Sequence, residues 1–250
     1  MAPVLIPHAE IPVRGRVTLP AAAVATADRE TLTEAALTTV LLAAVLTGGT
    51  VLVREPLPLP RPTVRAVGHL IACTGAYVVA SRAGLTATSR ASSTPEPLQC
   101  RVESGALPVV AVAAARAEAV STLIPARRDA ARQADRCARL GLRAKASGDG
   151  VEITPGFAAT PAVIDHGGEP PLVLAALLLG LIRPDTRIID TTPLTRRLPG
   201  FTEAWSALLA ADEFLLPGSD LIPEDYGRRA DESAVTPVAQ GLPRAAGRRR

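Results

Sequence analysis

The side chains able to do chemistry are mostly arginines. Five of them, Arg127, Arg128, Arg132, Arg136 and Arg139, crowd one short stretch with Asp129 and Asp135. Guanidiniums held in place clamp phosphate and carboxylate groups, and carboxylates beside them can move protons. The simpler reading of this run is a solvated helix face whose charges pair locally. His166 precedes Gly167 and Gly168 and reads as a loop residue rather than a base. His69 and Cys73, one helical turn apart, read as a packed core edge, since a zinc site needs at least three protein ligands. The stretch Thr47 to Thr50, "TGGT", reads as a helix cap rather than a phosphate cradle, because no helix N-terminus follows it at once. The three cysteines, Cys73, Cys100 and Cys137, are odd in number and widely spaced. They suggest neither a disulfide framework nor a zinc site. No metal and no cofactor is expected.

Composition narrows the class. Of the 250 residues, 48% are apolar but only 2% aromatic, and the formal net charge is +3. Single-strand binders stack bases on aromatic side chains and show a concentrated basic face, so nucleic acid is not an expected partner. The N-terminal "MAPVLIPHAEIPV" has no basic start or long apolar run and does not read as a signal peptide. The longest apolar runs, Val40 to Leu46 and Leu172 to Ile182, fall short of the roughly 20 residues that span a bilayer. A soluble, cytoplasmic protein with no membrane partner is expected.

The elements that would position these residues come in repeats. "LIACTGAYVVASRAGLTATS" and "RCARLGLRAKASGDGVEITP" each run from an apolar helix through a Gly into a hairpin. Gly75 and Gly84 match Gly141 and Gly150, and Thr88 matches Thr154. A supersecondary unit found twice argues for a fold built from internal repeats. Upstream of the first hairpin the pattern predicts a strand over Ile11 to Leu19, a connector from Pro20, a helix over Thr31 to Thr47, a strand over Thr50 to Arg54, and a helix over Thr63 to Thr74. A second unit follows with a helix over Leu107 to Ala119, a strand over Val120 to Pro125 and an amphipathic helix over Arg128 to Leu140. A third has a helix over Leu172 to Leu181, a strand over Arg187 to Asp190 and a helix over Phe201 to Ala211, with no hairpin. The predicted fold is α/β: a single domain of three βαβαββ-like repeats, with apolar helices inside and sheets outside. The domain is expected over 11–215, with repeats near 29–98, 99–156 and 157–215. An N-terminal lead over 1–10 precedes it, and a disordered Pro/Arg-rich tail over 216–250 follows.

Four motifs in this order resemble the enolpyruvyl transferase family, and within it the EPSP synthases (3-phosphoshikimate 1-carboxyvinyltransferases). They are "AALTTVLLAAVLTGGTVLV", "DRCARLGLRAKASGDGVEITPG", "IDHGGEPPLVLAALLLGL" and "IIDTTPLTRRLPGFTEAWSALL". The resemblance implies the C-terminal domain of that two-domain inverse α/β fold. "PVRGRVTLP" is similar to its entering strand, and the domain inserted after it in the family is expected to be missing.

Such enzymes transfer an enolpyruvyl group from phosphoenolpyruvate to a hydroxyl. Carried over by motif, Asp129 takes an Asp position, Ala130 stands where Arg is expected, and Ala126 and Arg127 replace a Lys and a Glu. An Asp-His-Arg signature falls on Glu169, Pro170 and Pro171. The Lys of the closing turn falls on Arg196. Thr33 takes another Asp position with Glu34 beside it, and Glu103 is the nearest acid to a further one at Gly105. The resemblance therefore implies a scaffold whose catalytic positions are largely replaced, a binding or assembly component in a biosynthetic pathway. The alternative is a repurposed or trans-complemented enzyme acting on a small anionic or hydroxylated metabolite. Asp129 and Glu169 would be its catalytic carboxylates, and Arg127, Arg128 and Arg196 would hold substrate. A second copy or a separately encoded domain is the expected protein partner.

Overall fold

Three helices are apolar and buried along most of their length, and the fold is arranged around them. In the computed structural model, which describes residues 4–5, 13–19, 27–54, 59–89, 95–157, 163–183 and 186–210, helix α1 is Ala27–Thr47, α3 is Leu107–Ala114 and α5 is Pro170–Ile182. Every residue of α3 is buried, as is every residue of α5 from Leu172 to Leu181. The three helices pack against one another. The Glu30–Thr47 window of α1 is long and apolar enough to cross a membrane, but 78% of it is buried inside the protein. A helix apolar all round belongs in such an interior.

Two four-stranded sheets cover this helical centre. The first runs β2 (Arg14–Val17), β3 (Thr50–Arg54), β5 (Gly84–Thr88), β4 (Tyr77–Ser81). The second runs β6 (Gln99–Val102), β7 (Ser121–Pro125), β9 (Gly150–Phe157), β8 (Leu142–Ser147). In each, the first pair is parallel and the others antiparallel. The registers coincide as well: Tyr77 lies opposite Thr88 as Arg143 lies opposite Thr154, and Ser81 opposite Gly84 as Ser147 opposite Gly150. Between the strands run α2 (Arg61–Ala72) and the amphipathic α4 (Ala130–Arg139), which buries Gln133, Ala134, Arg136 and Cys137. Gly75 and Gly141 sit at φ 84° and 76°, the left-handed conformation that ends a helix and redirects the chain into a hairpin.

The third unit departs from the pattern. Its sheet is β10 (Val163–Ile164) parallel to β11 (Arg187–Ile188), and the outer place is taken by β1 (Val4–Leu5), antiparallel to β11. The N-terminal lead thus contributes a strand to the last repeat. Two short helices, α6 (Thr192–Arg197) and α7 (Phe201–Ala210), close the unit. Helix α3 stops earlier than the Ala-rich pattern predicts. The Ala115 carbonyl accepts from Gly156 N–H at 2.8 Å, which ties the chain to β9 at that point. The connector over 20–26 and the tail over 216–250 lie outside the described residues.

The "TGGT" stretch is a junction. Thr47 Oγ1 accepts from Val13 N–H at 2.9 Å, and Thr50 N–H donates to the Val13 carbonyl at 3.0 Å. A Cβ on Gly49 would overlap the Val13 carbonyl, whereas one on Gly148 meets nothing within 4 Å. Gly49→Ala is therefore expected to cost about 2–4 kcal/mol through backbone displacement. Gly148→Ala should cost about 1–2 kcal/mol, for its positive φ alone. Urea unfolding of the two variants measures the difference.

Candidate functional site

The N-terminal ends of the helices gather their polar side chains at one end of the helical centre. A Cβ on Gly105 would run into Thr31, so the approach to α3 touches the first turns of α1. Next to Gly105, Ser104 Oγ is 3.4 Å from Asp129 Oδ1, at the head of α4. Asp129 does not cap its helix backbone; Gln133 Nε2 donates to its Oδ2 at 2.8 Å instead. Arg136 continues the chain of contacts. Its Nη1 donates to Gln133 Oε1 at 3.0 Å and to the Ser104 carbonyl at 3.1 Å.

Glu169 closes the network from the third unit. Its Oε2 lies 2.9 Å from Arg136 Nε, an ionic contact whose angle falls short of a hydrogen bond. Its Oε1 accepts from Arg139 Nη1 at 3.2 Å, and Arg139 Nη2 donates to the Asp165 carbonyl at 3.2 Å. Arg136 and Arg139 are one turn apart on α4, so one carboxylate bridges both. The Arg136 side chain is 9% exposed. Burial pulls its guanidinium below the ordinary value, and the Glu169 carboxylate opposes that pull.

The turn into α5 is closed on itself. Gly167 N–H donates to Asp165 Oδ1 at 2.8 Å, and Gly168 N–H to His166 Nδ1 at 3.0 Å. Glu169 N–H donates to the His166 carbonyl, and Leu172 and Val173 N–H both donate to the Glu169 carbonyl. Pro170 and Pro171 have no N–H. A helix N-terminus binds anions through amides it leaves free, and from Gly167 to Val173 none is free. Because His166 Nδ1 accepts, the network assigns the ring proton to Nε2, which is buried without a partner among the described residues.

Beside this turn lies a cavity of about 390 Å³ lined by Gly168, Pro170, Asp190, Thr192, Pro193, Arg196 and Arg197. Thr192 donates to Asp190 Oδ1 from its hydroxyl at 2.5 Å and its backbone at 2.8 Å. Those bonds hold the Asp190 carboxyl below the usual range. Of the residues singled out from sequence, Asp129 and Glu169 enter one network through Gln133 and Arg136. Arg196 lines the cavity, and Arg127 and Arg128 are exposed in the turn before α4.

A second group of acids lies near the head of α1. Burial, then the carboxylates of Glu103 and Glu30, push the half-buried Glu34 carboxyl up to about 7. Glu34 and Glu103 each stood beside an expected acid position, and that adjacency was the signal in the sequence. No group of three or more potential metal ligands occurs among the described residues.

Two outcomes follow from these contacts. Glu169→Gln leaves a buried guanidinium without its counter-charge and should cost about 2–4 kcal/mol, at the lower end because Glu169 is partly exposed. Urea unfolding beside Arg139→Gln, which removes the more exposed partner and should cost under about 1 kcal/mol, checks it. Glu34 holds more protons folded than unfolded between about pH 4.5 and about 7. Its favourable contribution is thus complete below about 4.5 and lost as pH rises through about 7. Relative to Glu34→Gln, the native chain should lose stability across that window, as read from urea midpoints; a rising difference would contradict the assignment.

Known proteins resemble this chain in fold rather than in sequence. No protein-family model matches it, and no curated protein matches it by sequence. The solved enolpyruvyl transferase NikO from Streptomyces tendae aligns at 16% identity with a TM-score of 0.53, covering 70% of this chain and 42% of that one. Two structures of EPSP synthase from Acinetobacter baumannii align at 18% and 19% identity, with TM-scores of 0.52 and 0.53, covering 70% of this chain and 44% and 45% of theirs. The chain spans less than half the length of these proteins. With its inward apolar helices, outward sheets and repeated strand register, the chain has the EPSP synthase-like inverse α/β fold of the enolpyruvyl transferases, over part of their length.

Proposed function

We propose that this chain is a binding or assembly component built on the enolpyruvyl transferase fold and does not itself transfer enolpyruvyl groups. The observation that carries the reading is the closed turn into α5. Transfer from phosphoenolpyruvate needs free cations and amides for phosphate and carboxylate, and a carboxylate free to move a proton. Here the amides from Gly167 to Val173 are internally bonded or absent, and Glu169 is held by Arg136 and Arg139. Arg196 and Arg197 remain beside a cavity whose size suits a small anionic metabolite. Three free cysteines accord with a reducing, cytoplasmic setting; recovery of the chain in an oxidising compartment would contradict that part.

A second reading rests on Glu34. An acid titrating near 7 is suited to general acid–base work at neutral pH, and a partner supplied in trans could complete a site around it. One assay separates the two. Purified chain with phosphoenolpyruvate and shikimate 3-phosphate should release no phosphate above the protein-free rate. Release proportional to protein concentration would overturn the first reading. Release that appears only with an added partner and is lost in Glu34→Gln would establish the second.

A further inference from the structure

The two four-stranded sheets have four edges, and among the described residues one is unguarded. Edge strands expose unpaired N–H and C=O groups, and proteins protect them with charged side chains, bulges or covering segments. Strand β2 carries Arg14 and Arg16, and β6 carries Arg101. Strand β8 carries Arg143 and Lys145 and has a register shift between Leu142 and Arg143. Strand β4, which occupies in the first repeat the place β8 holds in the second, reads Tyr77-Val78-Val79-Ala80-Ser81, with no charge and no register shift. Tyr77 and Val79 are 66% and 57% exposed. Because the repeats share their register, Tyr77 and Val79 stand where the second repeat has Arg143 and Lys145. The same fold position is thus apolar in one unit and cationic in the other.

We propose that β4 is a strand-pairing edge that joins two copies of this chain through an antiparallel β4–β4 contact centred on Val79. Centred there, Val78 faces Ala80 and Tyr77 faces Ser81 of the second copy, so no like charges meet along the seam. The flanks favour a second copy as occupant. Arg82, exposed just past β4, is carried toward Ala76 of the other chain and so toward the C-terminal end of its α2. That end carries a partial negative charge, and symmetry makes the contact twice. A seam five residues long is small for a permanent interface, so the dimer is concentration dependent. This inference does not rest on the function proposed above.

Sedimentation velocity of the full chain, from about 1 to about 200 µM, tests it. The expected mass rises from 25.8 kDa toward twice that value. Val79→Lys should remain monomeric with unchanged circular dichroism and melting, and Ala146→Lys on the β8 edge should dimerise as the native chain does. A native chain that stays monomeric throughout would overturn the proposal, as would Val79→Lys assembling normally or Ala146→Lys failing equally. Slow amide exchange along β4 in a monomeric sample would also overturn it, by showing that another segment of the same chain covers the edge.

Discussion

The packing of α1, α3 and α5 against one another is the contact on which the other elements depend. Each fully buried Leu or Val side chain is worth about 1.5–3 kcal/mol relative to exposure, and these helices bury such residues on every side. No face remains for solvent, so the sheets must lie outside. The amphipathic α2 and α4 fill the space between helices and sheets. Along the length of α1 the buried Thr38 and Thr39 hydroxyls donate to the Glu34 and Ala35 carbonyls of the same helix, so charged groups are left to the helix ends. Ser104, Asp129 and Glu169 stand just before the N-termini of α3, α4 and α5, and Glu34 lies in the N-terminal part of α1.

What those ends then do depends on how their groups are satisfied. Arg136 is nearly inaccessible, and a guanidinium in that position is tolerated only with hydrogen bonds and a counter-charge. Gln133, the Ser104 carbonyl and Glu169 supply them. The result ties the head of α4 to the approaches of α3 and α5, and so the second repeat to the third. The same satisfaction engages the groups that a ligand would need: the Glu169 carboxylate bridges two arginines, and the amides from Gly167 to Val173 are bonded within their own turn. Unassigned polar capacity is left at Glu34 and at the cavity flanked by Arg196, two places that the network does not reach.

Much of this architecture was legible in the chain. The paired glycines at 75 and 141 predicted two equivalent hairpins, and the registers of Thr88 and Thr154 agree residue for residue. The uninterrupted apolar runs predicted inward helices. Strands β6, β10 and β11 and helix α6 are too short to carry a period, so the pattern does not mark β6, β10 or α6, and β11 ends at Ile188 where the pattern runs on to Asp190. The pairing of Val4 with Ile188 joins opposite ends of the described chain, and nothing local encodes it. At the candidate site, residue types were legible but partners were not. Arg136 read as part of a solvated face, yet it is buried because Glu169 reaches it from another repeat. The upward shift at Glu34 comes first from its burial and then from Glu103, which lies far along the chain.

The turn from Gly167 to Val173 is closed by its own bonds, where a ligand-binding helix end would be open. Backbone amide NMR during titration with phosphoenolpyruvate addresses it directly. The Gly167, Gly168, Glu169 and Leu172 amide resonances should stay in place up to millimolar ligand. Saturable shifts at those amides would show that the turn opens to an anion and would contradict it.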